Sequence, residues 1–435
     1  MKSKKMNRDF GLNLVSYMRR ASLLPILIIT AFTIGCVVDN GANSNAPASG
    51  NTPVNRNAAS PPAPAPGSPT AVEPIAGEEA PLSNEEIERG RMSQDWKKYV
   101  SIETAGQQTR PTTSREKWQD LSPERVNSGQ MQLPLSGDVA GPSVFRAQVL
   151  LDRVRFSPGI IDGKWGKNTE KAVYWLQKRE GLAATGQVDE KTFQRLIELA
   201  GNPDRMVIEH RLSEQDVAGP FVDIPENIYE KAKMECMCYE SLEEKLSEMF
   251  HTSPELLQQL NPNVKLNELK AGDTINVPNL RPANEGATGD VARIVVSDGG
   301  HYVHALDASG RILYHFPSTL GSKYEPSPAG EYKITAIAEN PTWHYQPELL
   351  GESASKEDAL IPAGPNNAVG KVWMALSKPH FGIHGTNAPQ TIGYVTSSGC
   401  VRLTNWDAVF LASRVKVGTP VEFKDIGAPR ETAGR

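Results

Sequence analysis

Residues 380–407 read HFGIHGTNAPQTIGYVTSSGCVRLTNWD and hold one cysteine, Cys400, directly after Ser397-Ser398-Gly399 and before Val401-Arg402-Leu403. His384 lies sixteen residues upstream, inside Gly382-Ile383-His384-Gly385-Thr386. A thiol becomes a strong nucleophile when a nearby imidazole takes its proton and stabilises the thiolate. Two strands joined by a glycine-bearing loop bring such a pair within hydrogen-bond reach. Gly399, just before the thiol, permits a sharp turn that aims successive N–H groups at a developing oxyanion. A structural reading competes, because free cysteine is among the most buried residue types and a buried Cys400 beside an unrelated histidine needs no chemistry. His380 is a rival base. On an extended stretch it shares the face of His384 but lies about 13 Å away, at about 3.3 Å per residue.

The Ser-Ser-Gly-Cys-Val-Arg-Leu block with its upstream His-Gly resembles the signature of the L,D-transpeptidase (YkuD-like) catalytic domain. Ser327-Pro328-Ala329-Gly330-Glu331-Tyr332-Lys333-Ile334 and Asn340-Pro341-Thr342-Trp343 match further pieces of that family's pattern. From Ala292 the apolar periodicity is two, in short runs separated by Gly and Asp turns, which is the signal of strands. The resemblance therefore covers residues 290–426 and implies a mainly-β domain, a sandwich or barrel-like sheet. It also implies a substrate, the peptidoglycan tetrapeptide stem, attacked at the carbonyl before a terminal D-alanine. Cys400 is then the nucleophile and His384 its general base, the pair resting as thiolate and imidazolium. The Cys400 N–H, with Gly399, is the candidate oxyanion donor. Arg402, Ser398 and Gly385 are candidates for substrate binding. The planar fork of Arg402 suits a substrate carboxylate, and a buried ion pair with Asp407 or a bond to a sheet carbonyl is the competing role. The acyl acceptor stays open between a second stem, a protein amine and water. Water would make a hydrolase on the same scaffold, and a wall-anchoring lipoprotein without catalysis is the third reading.

Upstream of this domain the chain is modular, giving a multidomain protein of 435 residues with small all-α and α+β modules before the β-rich one. In residues 141–200, Val144, Ala147, Leu150, Leu151 and Val154 recur at helical spacing, Ser157-Pro158-Gly159 breaks the helix, and two further helices follow. Gly159, Asp162, Gly163, Gly166, Thr169, Ala172-Val173, Gln177 and Gly181-Leu182 resemble the three-helix peptidoglycan-binding domain, which implies a glycan-facing role for Asp162, Gly163 and Trp165. Asp162-Gly163 as an ordinary turn and Trp165 as a core plug explain the same residues locally. Residues 230–282 resemble a LysM module of two helices and two strands, with Cys236-Met237-Cys238-Tyr239-Glu240 where its glycine-rich opening loop belongs. A structural spacer is the alternative.

The N-terminus carries an address. Basic residues from Lys2 to Arg20 precede the apolar run 21–34, too short for a comfortable membrane span and suited to a secretory signal. Residues 1–36 end in Thr33-Ile34-Gly35-Cys36, which resembles a bacterial lipoprotein box and implies acylation of Cys36 and a lipid anchor to a membrane; Met18 is an alternative start. Residues 37–81, rich in Asn, Ala, Pro and Ser, bury too little apolar surface to fold and read as a disordered tether. Residues 82–140 are left unassigned. A cell-envelope location, periplasmic or extracytoplasmic, follows from the whole. Net charge is −5 without long like-charge blocks, which argues against nucleic acid. The cysteines are Cys36, Cys236, Cys238 and Cys400, and the lone CxC has no metal-ligand spacing, so neither a metal nor a cofactor is expected.

Overall fold

The computed structural model describes residues 116–128, 130–281, 291–322, 326–347 and 357–424. The signal, Cys36 and the tether lie outside the described residues. Among those described, no helix is long and apolar enough to cross a membrane, and no cluster of three or more His, Cys, Asp or Glu is placed to hold a metal.

After a short helix at Pro123–Ser128 come three longer ones: α1 (Pro142–Arg153), α2 (Lys167–Glu180) and α3 (Glu190–Leu199). They enclose a core of Val144, Ala147, Leu150, Leu151, Ala172, Val173, Leu176 and Leu196. Each end has a chemical cause. Pro142 occupies the first turn of α1, Gly181 closes α2 in the left-handed region at φ 68°, and Asp189 caps α3 by accepting from the Thr192 N–H. Asp162 and Trp165 are buried here. The Asp162 carboxylate accepts from Gln148 and from the Lys164 N–H, and Gly163 turns the chain at φ 71°. Locally the three residues form a turn and part of the module's core, as the ordinary reading of each has it.

A β-α-α-β unit follows: β1 (Val207–Arg211), α4 (Leu242–Met249), α5 (Pro254–Leu260) and β2 (Thr274–Pro278). The strands pair antiparallel, Val207 opposite Pro278 and Arg211 opposite Thr274. The first strand thus lies outside the 230–282 segment, because some thirty residues are inserted between it and α4. That insertion contains Cys236 and Cys238, which are joined as a disulfide. Two cysteines with one residue between them carry no spacing signal for a bridge, so the sequence did not reveal the bond.

The remaining strands are β3 (Arg293–Ser297), β4 (Tyr302–Leu306), β5 (Ile312–Pro317), β6 (Gly330–Glu339), β7 (Trp343–Tyr345), β8 (Ala359–Ile361), β9 (Val372–Leu376), β10 (Gly382–His384), β11 (Val401–Arg402) and β12 (Pro420–Lys424). Eight of them form one sheet in the order β11-β10-β9-β6-β12-β3-β4-β5. Its two edges approach each other. Thr319, just past β5, bridges Arg402 of β11 in both directions, at 3.0 and 2.9 Å. The sheet is therefore curled toward a barrel, which buries Ile294, Val296, Val303, Phe316, Ile334, Met374, Ile383 and Val401 on its inner face. Pairing the edges also removes exposed ladder groups that would recruit other strands. α6 (Asn405–Ala412) starts on the Thr404 cap directly after β11 and packs Ala408 and Leu411 into the same core. β7 and β8 form a separate hairpin.

Candidate active site

The site stands on the β10–β11 edge. These strands pair parallel, Ile383 with Val401 and His384 with Arg402. Side chains alternate along strands and neighbours across a ladder share a face, so His384 and Arg402 point the same way. Cys400, one residue before β11, falls opposite Gly382 on that face. Cys400 and His384 are then diagonal neighbours, a relation that sets residues about 7–8 Å apart, with Cβ atoms somewhat nearer, and lets an aromatic side chain reach across. The Gly382 N–H also reaches the sulfur and favours its thiolate. Gly382 is needed for another reason. A Cβ there would stand 2.5 Å from the Trp373 indole, and that indole stacks on His384 with ring centroids 5.3 Å apart and planes 26° from parallel.

His384 is fully buried. Its Nδ1 lies 2.6 Å from the Gly385 carbonyl oxygen. A carbonyl only accepts, so Nδ1 carries the proton and Nε2 presents a lone pair. Nε2 is buried with no hydrogen-bond partner among the described residues. Burial first, then the Arg402 charge, hold the imidazole down at about 3, against the Gly385 bond that favours its charged form. Burial pushes the Cys400 thiol up to about 11, against the Gly382 N–H and Arg402. Both shifts favour neutral thiol and neutral imidazole over the expected thiolate–imidazolium pair: low-dielectric surroundings penalise both charges, and Arg402 further disfavours an imidazolium beside it.

The turn before the nucleophile is built as the sequence suggested. Gly399 has φ 113° and a Cβ there would come within 2.7 Å of the Phe381 ring. Ser327 Oγ donates to the Gly399 carbonyl at 2.9 Å, fixing the peptide that precedes Cys400. Of the two candidate oxyanion donors, the Gly399 N–H is engaged by Ser397 Oγ at 3.2 Å. The Cys400 N–H makes no hydrogen bond among the described residues. His380 approaches the thiol through its backbone alone, its carbonyl accepting from Sγ at 3.6 Å, while the residue itself is exposed. Its φ of 65° breaks the extended run assumed from sequence, and the strand begins only at Gly382. Arg402 does not pair with Asp407, which is instead hydrogen-bonded by Ser157 Oγ at 2.8 Å. Ser398 is half-buried on the same turn. Gly385 packs against the Asn405 amide, which a Cβ would meet at 2.2 Å.

Cys400 is only 2% exposed. It belongs to an apolar cluster with Met237, Trp343, Tyr345, Ile361, Val369 and Trp373. Met237 arrives from the insertion, held by hydrogen bonds of 2.9 Å between its N–H and the Ala363 carbonyl and between the Asn366 N–H and its own carbonyl. Sequence reasoning missed Trp373, Ser327, Met237 and Asn405. For Asn405 a signal was present, a polar amide at the first position of a helix that is apolar after Asp407. For Met237 there was none.

Two family models match the chain: YkuD, described as "L,D-transpeptidase catalytic domain", over residues 291–423, and "Putative peptidoglycan binding domain" over residues 140–196. The "Putative L,D-transpeptidase YkuD" of Bacillus licheniformis is 32% identical over 178 residues, 41% of this chain and 90% of the relative. Its namesake from Bacillus subtilis is 33% identical over 172 residues, 40% of this chain and 87% of the relative. A crystal structure of an L,D-transpeptidase from Xylanimonas cellulosilytica aligns over 68% of this chain and all of that one, with 13% identity and a TM-score of 0.30. With a relative matched across nine-tenths of its length and the catalytic-domain model covering the curled sheet, this chain belongs to the YkuD-type L,D-transpeptidase family.

Proposed function

We propose that Cys400 and His384 carry out acyl transfer on peptidoglycan stem peptides at the cell envelope, with His384 Nε2 as general base. The observation that carries this is the fixed tautomer: Nδ1 is committed to the Gly385 carbonyl, which leaves a buried, unpartnered lone pair on Nε2 of a histidine whose strand face Cys400 shares. As sulfur attacks the carbonyl before the terminal D-alanine, Nε2 takes the S–H proton. The Cys400 N–H receives the oxyanion. The imidazolium then protonates the departing D-alanine amine, leaving an acyl-thioester and a neutral histidine. An amine from a second stem or from a protein attacks the thioester, its proton passing to Nε2, and the thiol is regenerated by the reverse transfer. Arg402 steadies negative charge on sulfur and oxyanion. The three-helix module holds the enzyme to the wall, and the β-α-α-β order of residues 207–278 supports a LysM-like role in the same task. A lipid on Cys36 tethers the whole to a membrane.

Mass spectrometry of muropeptides incubated with the purified protein tests the reading. Loss of D-alanine with a new stem–stem or stem–amine bond is expected, and none with Cys400→Ala. D-alanine loss without any new bond would assign the hydrolase instead, and no reaction with a reactive, folded Cys400 would remove catalysis.

A further inference from the structure

The histidine is held by a chain of contacts that ends outside the catalytic domain. Asn405 is 1% exposed and makes four hydrogen bonds, the full capacity of an amide. Its Oδ1 accepts from the N–H groups of Thr386 and Lys371, each at 3.1 Å. Its Nδ2 donates to Glu248 Oε2 at 2.8 Å and to the Pro365 carbonyl at 3.2 Å. The Thr386 N–H and the Gly385 carbonyl belong to one planar trans peptide and point in opposite directions. By gripping the N–H, Asn405 aims the carbonyl that holds His384 Nδ1. Two glycines make room, since a Cβ at Gly370 or Gly385 would come within 2.0 or 2.2 Å of Oδ1.

An amide has two faces that differ in chemistry, and something must choose which one meets Thr386. Glu248, on α4, offers Nδ2 its shorter acceptor and the Pro365 carbonyl the longer one, and together they hold Nδ2 and leave Oδ1 for the two N–H groups. Glu248 is itself fixed through Oε1, which receives Tyr239 Oη at 2.7 Å and Lys371 Nζ at 2.8 Å. Tyr239 and Glu248 both precede the region matched by the catalytic-domain model. We propose that Glu248 is a positioning residue for His384, acting through Asn405 to hold the Nδ1–H tautomer, so that the β-α-α-β unit completes the active site as well as neighbouring it. The contact chain stands by itself, whereas its consequence for catalysis rests on His384 being the base.

The test is ¹⁵N–¹H NMR of the histidine rings in the full chain, paired with D-alanine release from a tetrapeptide stem. Wild-type His384 is expected as Nδ1–H. Glu248→Ala is expected to populate Nε2–H and lower kcat by about 10-fold or more, by analogy with the roughly 10–100-fold cost of removing partners that orient metal-bound histidines, with KM within about twofold. Glu248→Gln keeps a carbonyl acceptor and is expected to restore the tautomer and most of kcat, which a loss of bulk stability would not explain. A wild-type ring protonated at Nε2 would overturn the proposal even if no variant folded. So would a Glu248→Ala protein with unchanged tautomer and kcat. A shifted tautomer with unchanged D-alanine release would sustain the positioning role and instead remove His384 as base.

Discussion

Consider the reactivity of Cys400 toward iodoacetamide as pH is raised. With the thiol pushed up to about 11, its thiolate fraction at pH 7.5 is about 3 × 10⁻⁴, against about 10⁻¹ for an ordinary cysteine near 8.5. The chemistry of alkylation requires the thiolate, so the resting enzyme should react about 300-fold more slowly than a free cysteine before any steric protection counts. The logarithm of the rate should climb by about one per pH unit from 7 to 10 without a plateau. His384→Gln should change this profile little, because a neutral imidazole contributes no charge to stabilise sulfur. The same substitution should lower D-alanine release by about 10²–10⁴-fold, since base catalysis is lost in the transition state. Peptide mapping by mass spectrometry isolates Cys400 from Cys36, while Cys236 and Cys238 are held in their disulfide. A plateau below pH 7 that disappears in His384→Gln would mean a resting ion pair, and the burial argument would fail.

Three further outcomes are expected. Gly399→Ala must place a side chain at φ 113° and within 2.7 Å of Phe381, a strain of about 1–3 kcal/mol at the turn before the nucleophile; thermal melting should show the loss and D-alanine release should fall with it. Burial pushes the Asp407 carboxyl up to about 7, against the hydrogen bond from Ser157 and with the help of Asp152. Between about 4, its unfolded value, and 7 the folded state binds more protons, so stability present below 4 is lost as pH rises through 7; Asp407→Asn should out-melt the parent at pH 8 and converge with it near pH 4, and a constant gap would refute this. Cys36→Ala should move the protein from the membrane fraction to the soluble envelope fraction while D-alanine release persists, and unchanged membrane association would reject the lipid anchor.

What the sequence disclosed and what it concealed divide along a physical line. The β periodicity from Ala292, the breaks at Ser157-Pro158-Gly159 and the Gly399-Cys400 turn are local, and propensity plus patterning report local structure directly. His384 and Cys400 were legible because the motif fixes their spacing and β10–β11 pairing turns that spacing into a shared face. Their charge states were not, because desolvation depends on what covers a group, and the cover comes from far along the chain. Met237 reaches the Cys400 cluster from the insertion, and Glu248 reaches Asn405 across 157 residues. The first strand of the β-α-α-β unit escaped for the same reason, since its partner lies beyond an insertion that no periodicity spans. The thiol and its base are in the motif, whereas the residues that cover the one and orient the other also come from the segment before the catalytic domain. A catalytic domain cut at the family boundary would therefore keep its nucleophile and lose Glu248, the shorter of the two acceptors that hold the Asn405 Nδ2.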